Sequence, residues 1–387
     1  MTRERRMRSV LITGATGFIG SRLAEHLVLG EGLRCAGLVR TWSRAARLAR
    51  LPVELLGGDV MDEAALARAA RGRDTIFHCA VDGRIAGRAQ RRAIVRGTRN
   101  VLRAALATGA RVVHLSTVAV YGYAPPAGAV TEREASRRVG DPYADGKIEA
   151  ERLAFQAFRR HGLPVVVLRP TIVFGPYSPW SVGTLTRIRG GGAMLVDGGR
   201  HVCNALYVDN LVQAMRLAAE SDAAVGQAFH VSDAEPVDWR TFLEAHARVL
   251  GPRFWPLPEM TGAEIEAARR RERSPSGLRA LADLLARPEV RMALAEVAPI
   301  RKAWSALKPL RPYLPGSGGR ALPAGPPEPG GAGRDVRRLP SLRETEVYHT
   351  EVTFSIDKAR RVLDYRPAVD FAEGMTRTAA WLRWSGV

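Results

Sequence analysis

Tyr143 and Lys147 stand four residues apart, a spacing that places a phenol and an amine on one face of a helix. An ammonium beside a phenol favours the phenolate, so the pair can take a proton from a substrate hydroxyl. Eight Tyr and four Lys in 387 residues give about 0.08 such pairs by chance. The pair is therefore read as chemistry, with a structural Tyr on an amphipathic helix as the alternative. A second stretch, Thr13-Gly14-Ala15-Thr16-Gly17-Phe18-Ile19-Gly20, follows the apolar run Val10-Leu11-Ile12. Its glycines suit a strand that turns sharply into a helix. Gly14 allows the tight turn, Gly17 lets backbone approach a pyrophosphate, and Gly20 lets helix and strand pack closely. The helix N-terminus then presents amide groups and a positive dipole end to phosphates. Together the two stretches predict proton transfer beside a bound nicotinamide.

Further candidates follow from position. The segment Leu115-Ser116-Thr117-Val118-Ala119-Val120-Tyr121-Gly122 supplies hydroxyls at a strand end. Thr117 is the choice to hydrogen-bond the reacting oxygen, with Ser116 and Tyr121 as rivals. The second strand ends Leu38-Val39-Arg40, with Arg44 close behind and no carboxylate in reach. A guanidinium there can pair with a 2′-phosphate, which leans the reading towards NADP over NAD. The alternative is a solvated Arg40 with NAD bound without it. Asp59, in Gly57-Gly58-Asp59-Val60, is assigned either to the adenine amine or to the N-cap of the next helix.

These residues need a scaffold. Strands are expected at 10–13, 34–39, 53–56, 75–79, 111–116 and 164–169. Helices are expected between them at 22–29, 64–70, 93–107 and 144–161. Alternation at this spacing implies right-handed βαβ crossovers and a parallel sheet. The fold class is α/β: a Rossmann-type doubly wound parallel sheet over 8–175, with a smaller C-terminal substrate lobe. The lobe takes 176–251, with a strand at 229–232 and helices at 209–220 and 239–250, and 346–387, with helices at 357–363 and 371–384. Residues 252–345 read as a basic Pro/Gly-rich insert or lid, partly flexible, with short helices at 278–285 and 290–297 and a loop at 315–333.

The apolar share of 46% is ample for a core. The formal charge of +19 rests almost wholly on Arg spread along the chain, so no specific nucleic-acid partner is expected. A basic field still favours an anionic small-molecule substrate or an acidic membrane surface. No uncharged apolar window is long enough to span a bilayer. The three cysteines, Cys35, Cys79 and Cys203, lack metal-ligand spacing. They fit a reduced cytoplasmic compartment, and no metal is expected.

The chain resembles the extended short-chain dehydrogenase/reductase family, in its NAD-dependent epimerase/dehydratase branch. The matching segments are TGATGFIG (13–20), GD (58–59), HCA (78–80), GTRNVL (97–102), STVAVYG (116–122), YADGK (143–147), LRPTIVFGP (168–176), YVDNLVQA (207–214) and the closing 354–375. The resemblance implies a Thr/Ser-Tyr-Lys catalytic set carried onto Thr117, Tyr143 and Lys147. It implies cofactor contacts at Gly14, Thr16, Gly17, Phe18, Ile19, Gly20, Arg40, Asp59, Val60, Cys79, Ala80, Lys147 and Pro170, with NAD(P) as cofactor. It also implies a homodimer through the helices at 93–107 and 144–161. Departures are visible. Val118 and Ala119 replace the acidic pair of sugar 4,6-dehydratases, Thr171 replaces an Asn, Cys203-Asn204 replaces an Arg, and Ile94 replaces another Asn.

The first functional expectation is an epimerase or oxidoreductase acting on a secondary alcohol or ketone of a nucleotide-activated sugar, with Arg187, Arg189 and Arg200 suited to a diphosphate. The alternative is an enzyme like 3β-hydroxysteroid dehydrogenases or dihydroflavonol reductases, acting on an apolar substrate. Leu281, Leu284, Leu285, Trp304 and Leu307 would then rest on a membrane surface. A non-enzymatic cofactor-binding regulator is a third reading, disfavoured by the intact Tyr143–Lys147 pair.

Overall fold

The computed structural model describes residues 5–82, 85–123, 125–233, 235–273, 339–340 and 342–386. The chain divides into two units, Met1–Thr261 with Pro340–Val387, and Gly262–Leu339. The second is described only through the helix Gly262–Arg273. The segments 278–285, 290–297 and 315–333, and the apolar residues from Leu281 to Leu307, lie outside the described residues.

Short apolar runs become strands, and all but the edge strand at Glu54–Gly57 are buried almost throughout, as a covered parallel sheet requires. They are β1 (Ser9–Thr13), β2 (Arg34–Val39), β3 (Glu54–Gly57), β4 (Thr75–His78), β5 (Arg111–Leu115), β6 (Val165–Pro170) and β7 (Ala228–Val231). They form one parallel sheet in the order β7-β6-β5-β4-β1-β2-β3. The order reverses between β1 and β4, so a crevice opens beyond their carboxyl ends. Thr13, at the end of β1, pairs with Leu38 on one side and His78 on the other.

The helices in chain order are α1 (Phe18–Glu25), α2 (Glu63–Ala70), α3 (Gly87–Thr108), α4 (Pro142–His161), α5 (Pro179–Arg189), α6 (Val208–Glu220) and α7 (Trp239–Leu250). The C-terminal stretch adds α8 (Leu342–Tyr348), α9 (Asp357–Leu363) and α10 (Phe371–Ser385). Leu66 of α2, Val101 and Ala105 of α3, and Ala154 of α4 share a core with Leu11, Ile76, Val112 and Val167 from the sheet. Arg22 of α1 binds Asp209 of α6 through two hydrogen bonds of 2.6 and 2.9 Å. Among the described residues no helix is long and apolar enough to cross a membrane.

Three expectations change, the first being α3, which starts at Gly87 rather than 93. The strand at 229–232, assigned to the lobe, is the seventh strand of the main sheet: Ala228 pairs with Val167 and Val231 with Pro170. Its apolar run is buried on both faces, and such a run does not reveal which sheet it joins. Helix α1 begins at Phe18 rather than Arg22, because the helix starts straight from the glycine turn. The C-terminal stretch completes small pairings. Val352–Phe354 runs parallel to Gly128–Val130, and Phe371 packs its ring 5.3 Å from Phe174.

Candidate active site

The glycine turn is built for close approach. Gly14 has φ +72°, and a Cβ there would lie 2.8 Å from the Ala80 backbone. Gly17 N–H donates to the Gly14 carbonyl at 2.9 Å. A Cβ on Gly20 would lie 2.3 Å from that same oxygen. No side chain caps α1 at Gly17, so the first amides of the helix face outward with the dipole's positive end. A cavity of about 330 Å³ lies against this turn, walled by the carboxyl ends of β1 to β4. These features fit a dinucleotide pyrophosphate: small residues where phosphate must approach, and no acidic residue in the first turn of α1.

Of the expected cofactor contacts, Gly14, Thr16, Gly17, Arg40, Asp59, Val60, Cys79 and Ala80 line the cavity. Phe18, Ile19, Gly20, Lys147 and Pro170 do not. Gly20 is buried under the turn, Phe18 and Ile19 open α1, and Pro170 closes β6 against Val231. The sequence reading missed Leu38, Met61, Asp82, Ile85 and Gln90 on the wall. Asp82 matters most. Arg40 donates to its carboxylate at 2.7 Å and lies 3.6 Å from Asp59. The view that no carboxylate reaches Arg40 is therefore corrected: the ends of β3 and β4 bring two. Asp59 is not the N-cap of α2 either. Its Oδ1 accepts from Met61 N–H at 2.9 Å, while Asp62 caps the helix through Ala64 and Ala65.

Helix α4 carries the proton-transfer candidates. Asp141 caps it by accepting from Ala144 N–H at 2.8 Å, and Pro142 opens it, which puts Tyr143 in the first turn. Tyr143 is half-buried. Lys147, one turn on, is buried, and its ammonium donates to the Leu115 carbonyl at 2.7 Å. Burial pushes Lys147 down to about 8, with Cys79 and Glu151 opposing the shift. Leu115 ends β5, so this bond ties α4 to the strand that leads directly into Ser116 and Thr117.

The three hydroxyls after β5 have different partners. Ser116 Oγ donates to Glu151 Oε1 at 2.5 Å. Tyr121 accepts from Arg169 at 2.5 Å and faces His230 Nε2 at 2.8 Å. His230 Nδ1 lies 3.3 Å from the Ser355 carbonyl, so the proton sits on Nδ1 and Nε2 accepts from Tyr121. Burial raises Tyr121 to about 12 and lowers His230 to about 3. Both rivals thus have their protons committed inside the fold. Thr117 Oγ1 accepts from Ala119 N–H at 3.2 Å, a bond that leaves its own proton to donate.

Behind this row runs a buried ion pair absent from the sequence reading. Glu151 and Arg169 meet through bonds of 3.0, 3.2 and 2.6 Å. Glu151 lies one more turn along the Tyr143–Lys147 face, and that extension of the spacing was the available signal. His78, at the end of β4, is held between Thr13 at 2.8 Å and Thr98 at 3.1 Å. Burial, with Lys147 adding to it, lowers its pKa to about 3, so the ring stays neutral.

Comparison with known proteins agrees with this architecture. A 4-hydroxy-2-methyl-3-oxo-4-farnesyl-3,4-dihydroquinoline-1-oxide ketoreductase of Stigmatella aurantiaca is 32% identical over 240 residues, 60% of this chain and 70% of the relative. A 3 beta-hydroxysteroid dehydrogenase/Delta 5-->4-isomerase of Mycobacterium tuberculosis is 30% identical over 275 residues, 66% of this chain and 73% of the relative. The UDP-glucuronic acid 4-epimerase of Bacillus cereus, solved with UDP-glucuronic acid and NAD, superposes with a TM-score of 0.66. That match covers 97% of this chain and 99% of the other at 16% identity, and it carries the fold alone. The model of the NAD dependent epimerase/dehydratase family matches residues 10–232. With its sheet order, glycine turn and Tyr143–Lys147 helix, the chain belongs to that family of nicotinamide-dependent enzymes.

Proposed function

We propose that the chain is an NAD-dependent oxidoreductase that interconverts a secondary alcohol and a ketone on a largely apolar substrate. The observation that carries the redox part is Lys147, buried one turn beyond Tyr143 on α4 and bonded to the Leu115 carbonyl at the strand end that leads into Thr117. Gly14, Gly17, Asp59 and Ala80 would hold a dinucleotide, which would supply the acceptor for the hydride leaving the carbinol carbon. Tyr143 takes the hydroxyl proton as that carbon–oxygen bond becomes a carbonyl. Thr117 donates to the same oxygen and fixes its position. Lys147 keeps positive charge behind Tyr143, which favours the phenolate that receives the proton. Run backwards, the same set returns proton and hydride to a ketone.

The apolar substrate class rests on the lobe. The place where a nucleotide-sugar enzyme would hold an Arg carries Cys203, which is fully buried, and Asn204, which donates to the Val352 carbonyl at 2.8 Å. Arg187, expected to serve a diphosphate, is paired with Glu344. The nucleotide-sugar reading keeps the support of the epimerase family itself and stands as the second reading. The two curated relatives, a farnesylated-quinoline ketoreductase and a hydroxysteroid dehydrogenase, point the same way.

The choice of NAD rests on Arg40. Asp82 and Asp59 neutralise it, so a doubly charged 2′-phosphate would have to displace a carboxylate to reach the guanidinium. Asp82→Ala should raise the NADP-to-NAD preference by roughly tenfold; an unchanged ratio of kcat/KM values removes this assignment.

The substrate class is tested by incubating the full chain with NAD and a panel of sterols and long-chain secondary alcohols. Cofactor reduction is read at about 340 nm. UDP- and dTDP-sugars are screened in parallel for epimerisation without added cofactor. Turnover confined to the sugars would overturn the apolar reading.

A further inference from the structure

Away from the cavity, three side chains with metal-ligating atoms converge where the C-terminal stretch joins the main unit. Asp197 opens the turn Asp197–Gly199, His201 precedes the strand Val202–Cys203, and His349 follows α8. Asp197 Oδ2 lies 2.9 Å from His349 Nδ1 and 3.7 Å from His201 Nε2. One ligand atom from each residue lies within 4.8 Å of the other two. Nitrogen and oxygen ligands about 2.0–2.1 Å from a tetrahedral zinc stand about 3.4 Å from one another. The observed separations bracket that value. Each side chain is about a fifth to a third exposed, so an ion can enter from solvent while the residues stay anchored.

The surroundings support the arrangement. His201 Nδ1, the nitrogen turned away from Asp197, lies 3.9 Å from Glu351 Oε1. A carboxylate at that separation makes no hydrogen bond to the ring, but it adds negative potential beside the cluster, which favours a bound cation. The backbone is also committed. Asp197, Gly198 and Gly199 have φ of 49°, 72° and 71°, and a Cβ on Gly199 would lie 2.8 Å from Arg240 N. Asp is among the residues that tolerate this left-handed region best. The His201 carbonyl accepts from Trp239 N–H at 3.1 Å, and Val202 N–H donates to the Thr350 carbonyl at 3.2 Å.

We propose that Asp197, His201 and His349 bind one divalent transition cation of the zinc class, which fastens the chain around His349 to the Asp197–His201 turn. Two imidazoles and one carboxylate suit zinc or cobalt, whereas calcium and magnesium need an oxygen cage. Water completes the coordination, and the role is structural.

The full-length chain is stripped with chelator, dialysed against micromolar zinc and assayed for metal content and thermal stability. About one equivalent should bind, with a rise in Tm of about 3 °C at saturation. Cobalt should give the intense visible absorption of a tetrahedral site, and magnesium should give no shift. His201→Ala and His349→Ala should each weaken zinc binding at least about 100-fold. Glu351→Gln leaves every ligand in place and removes one exposed negative charge, so it should weaken binding only about two- to threefold, without loss of fold. Wild-type protein that holds no zinc overturns the proposal, as does magnesium binding in its place. Undiminished zinc affinity in either His variant overturns it too.

Discussion

At Lys147 the fold keeps an ammonium out of water for the sake of its charge, and this leaves a signature in stability. Burial holds its pKa at about 8, below the 10.5 of a free Lys. Below pH 8 the folded protein carries the whole cost of the buried charge. Between the two values the unfolded chain binds a proton that the folded chain does not, so this contribution to stability rises with pH. At about 1.36 kcal/mol per pH unit, wild type should gain about 2 kcal/mol on Lys147→Met between pH 8 and 10. Denaturant midpoints of both proteins across that range check it. Tyr143→Phe should cut turnover about 10²–10⁴-fold and leave the dissociation constant for NAD within about twofold. Equal loss of binding would mean the ring packs against the dinucleotide instead. The Tyr143–Lys147 pair was legible in the sequence because both residues ride one helix, and helical geometry is local. Asp82 beside Arg40 was not, because neighbouring strand ends meet only in the folded sheet. The commitment of Ser116 to Glu151 and of Tyr121 to His230 was hidden for the same reason. Thr117 was named among three hydroxyls, and only their hydrogen-bond partners separate them.

Among the elements, the β1–α1 turn has the least tolerance. Gly14 combines a left-handed backbone with a carbon-free face against Ala80. Gly14→Ala should cost about 1–2 kcal/mol from the backbone alone. It should also weaken NAD binding at least about tenfold, because the turn must shift away from the phosphate position. Isothermal titration with NAD, alongside thermal unfolding, reads both effects. The strands and helices of the first half were legible to within about four residues, apart from α3, which begins at Gly87 rather than 93, since each apolar run and each 3.6-residue period is short-range. The start of α1 was misplaced because Phe18 to Ser21 carry too little pattern to show that the helix begins at the last turn glycine. The seventh strand was seen as a strand and given to the wrong layer. Parallel pairing is made across a crossover, and nothing in Ala228–Val231 itself names Val165–Pro170 as its neighbour.

The molecule is closed by residues from its far end. Asn210, in the segment that resembles the family's YVDN, is buried and makes four bonds. It donates to Asp233 at 2.6 Å and to the Val369 carbonyl at 2.7 Å, and it accepts from Ala368 and Val369 N–H at 3.0 and 3.1 Å. Asn210→Ala should lower the unfolding free energy by about 3 kcal/mol, since it leaves several buried polar groups without partners. Chemical denaturation monitored by tryptophan fluorescence measures it. The resemblance of 354–375 to the family's closing segment put this stretch in the lobe with 176–251, but the individual contacts with 128–130 and 205–233 were not visible in the sequence. Those contacts join segments that share neither period nor motif.

The parallel pairing of Val352–Phe354 with Gly128–Val130 has a consequence for how the protein is made. The nucleotide cradle is complete early on the ribosome, yet the strand beside the Tyr121–His230 bonds lacks its neighbour until the last stretch has emerged. A nascent chain should therefore complete the β1 to β4 cradle before this edge gains its partner strand.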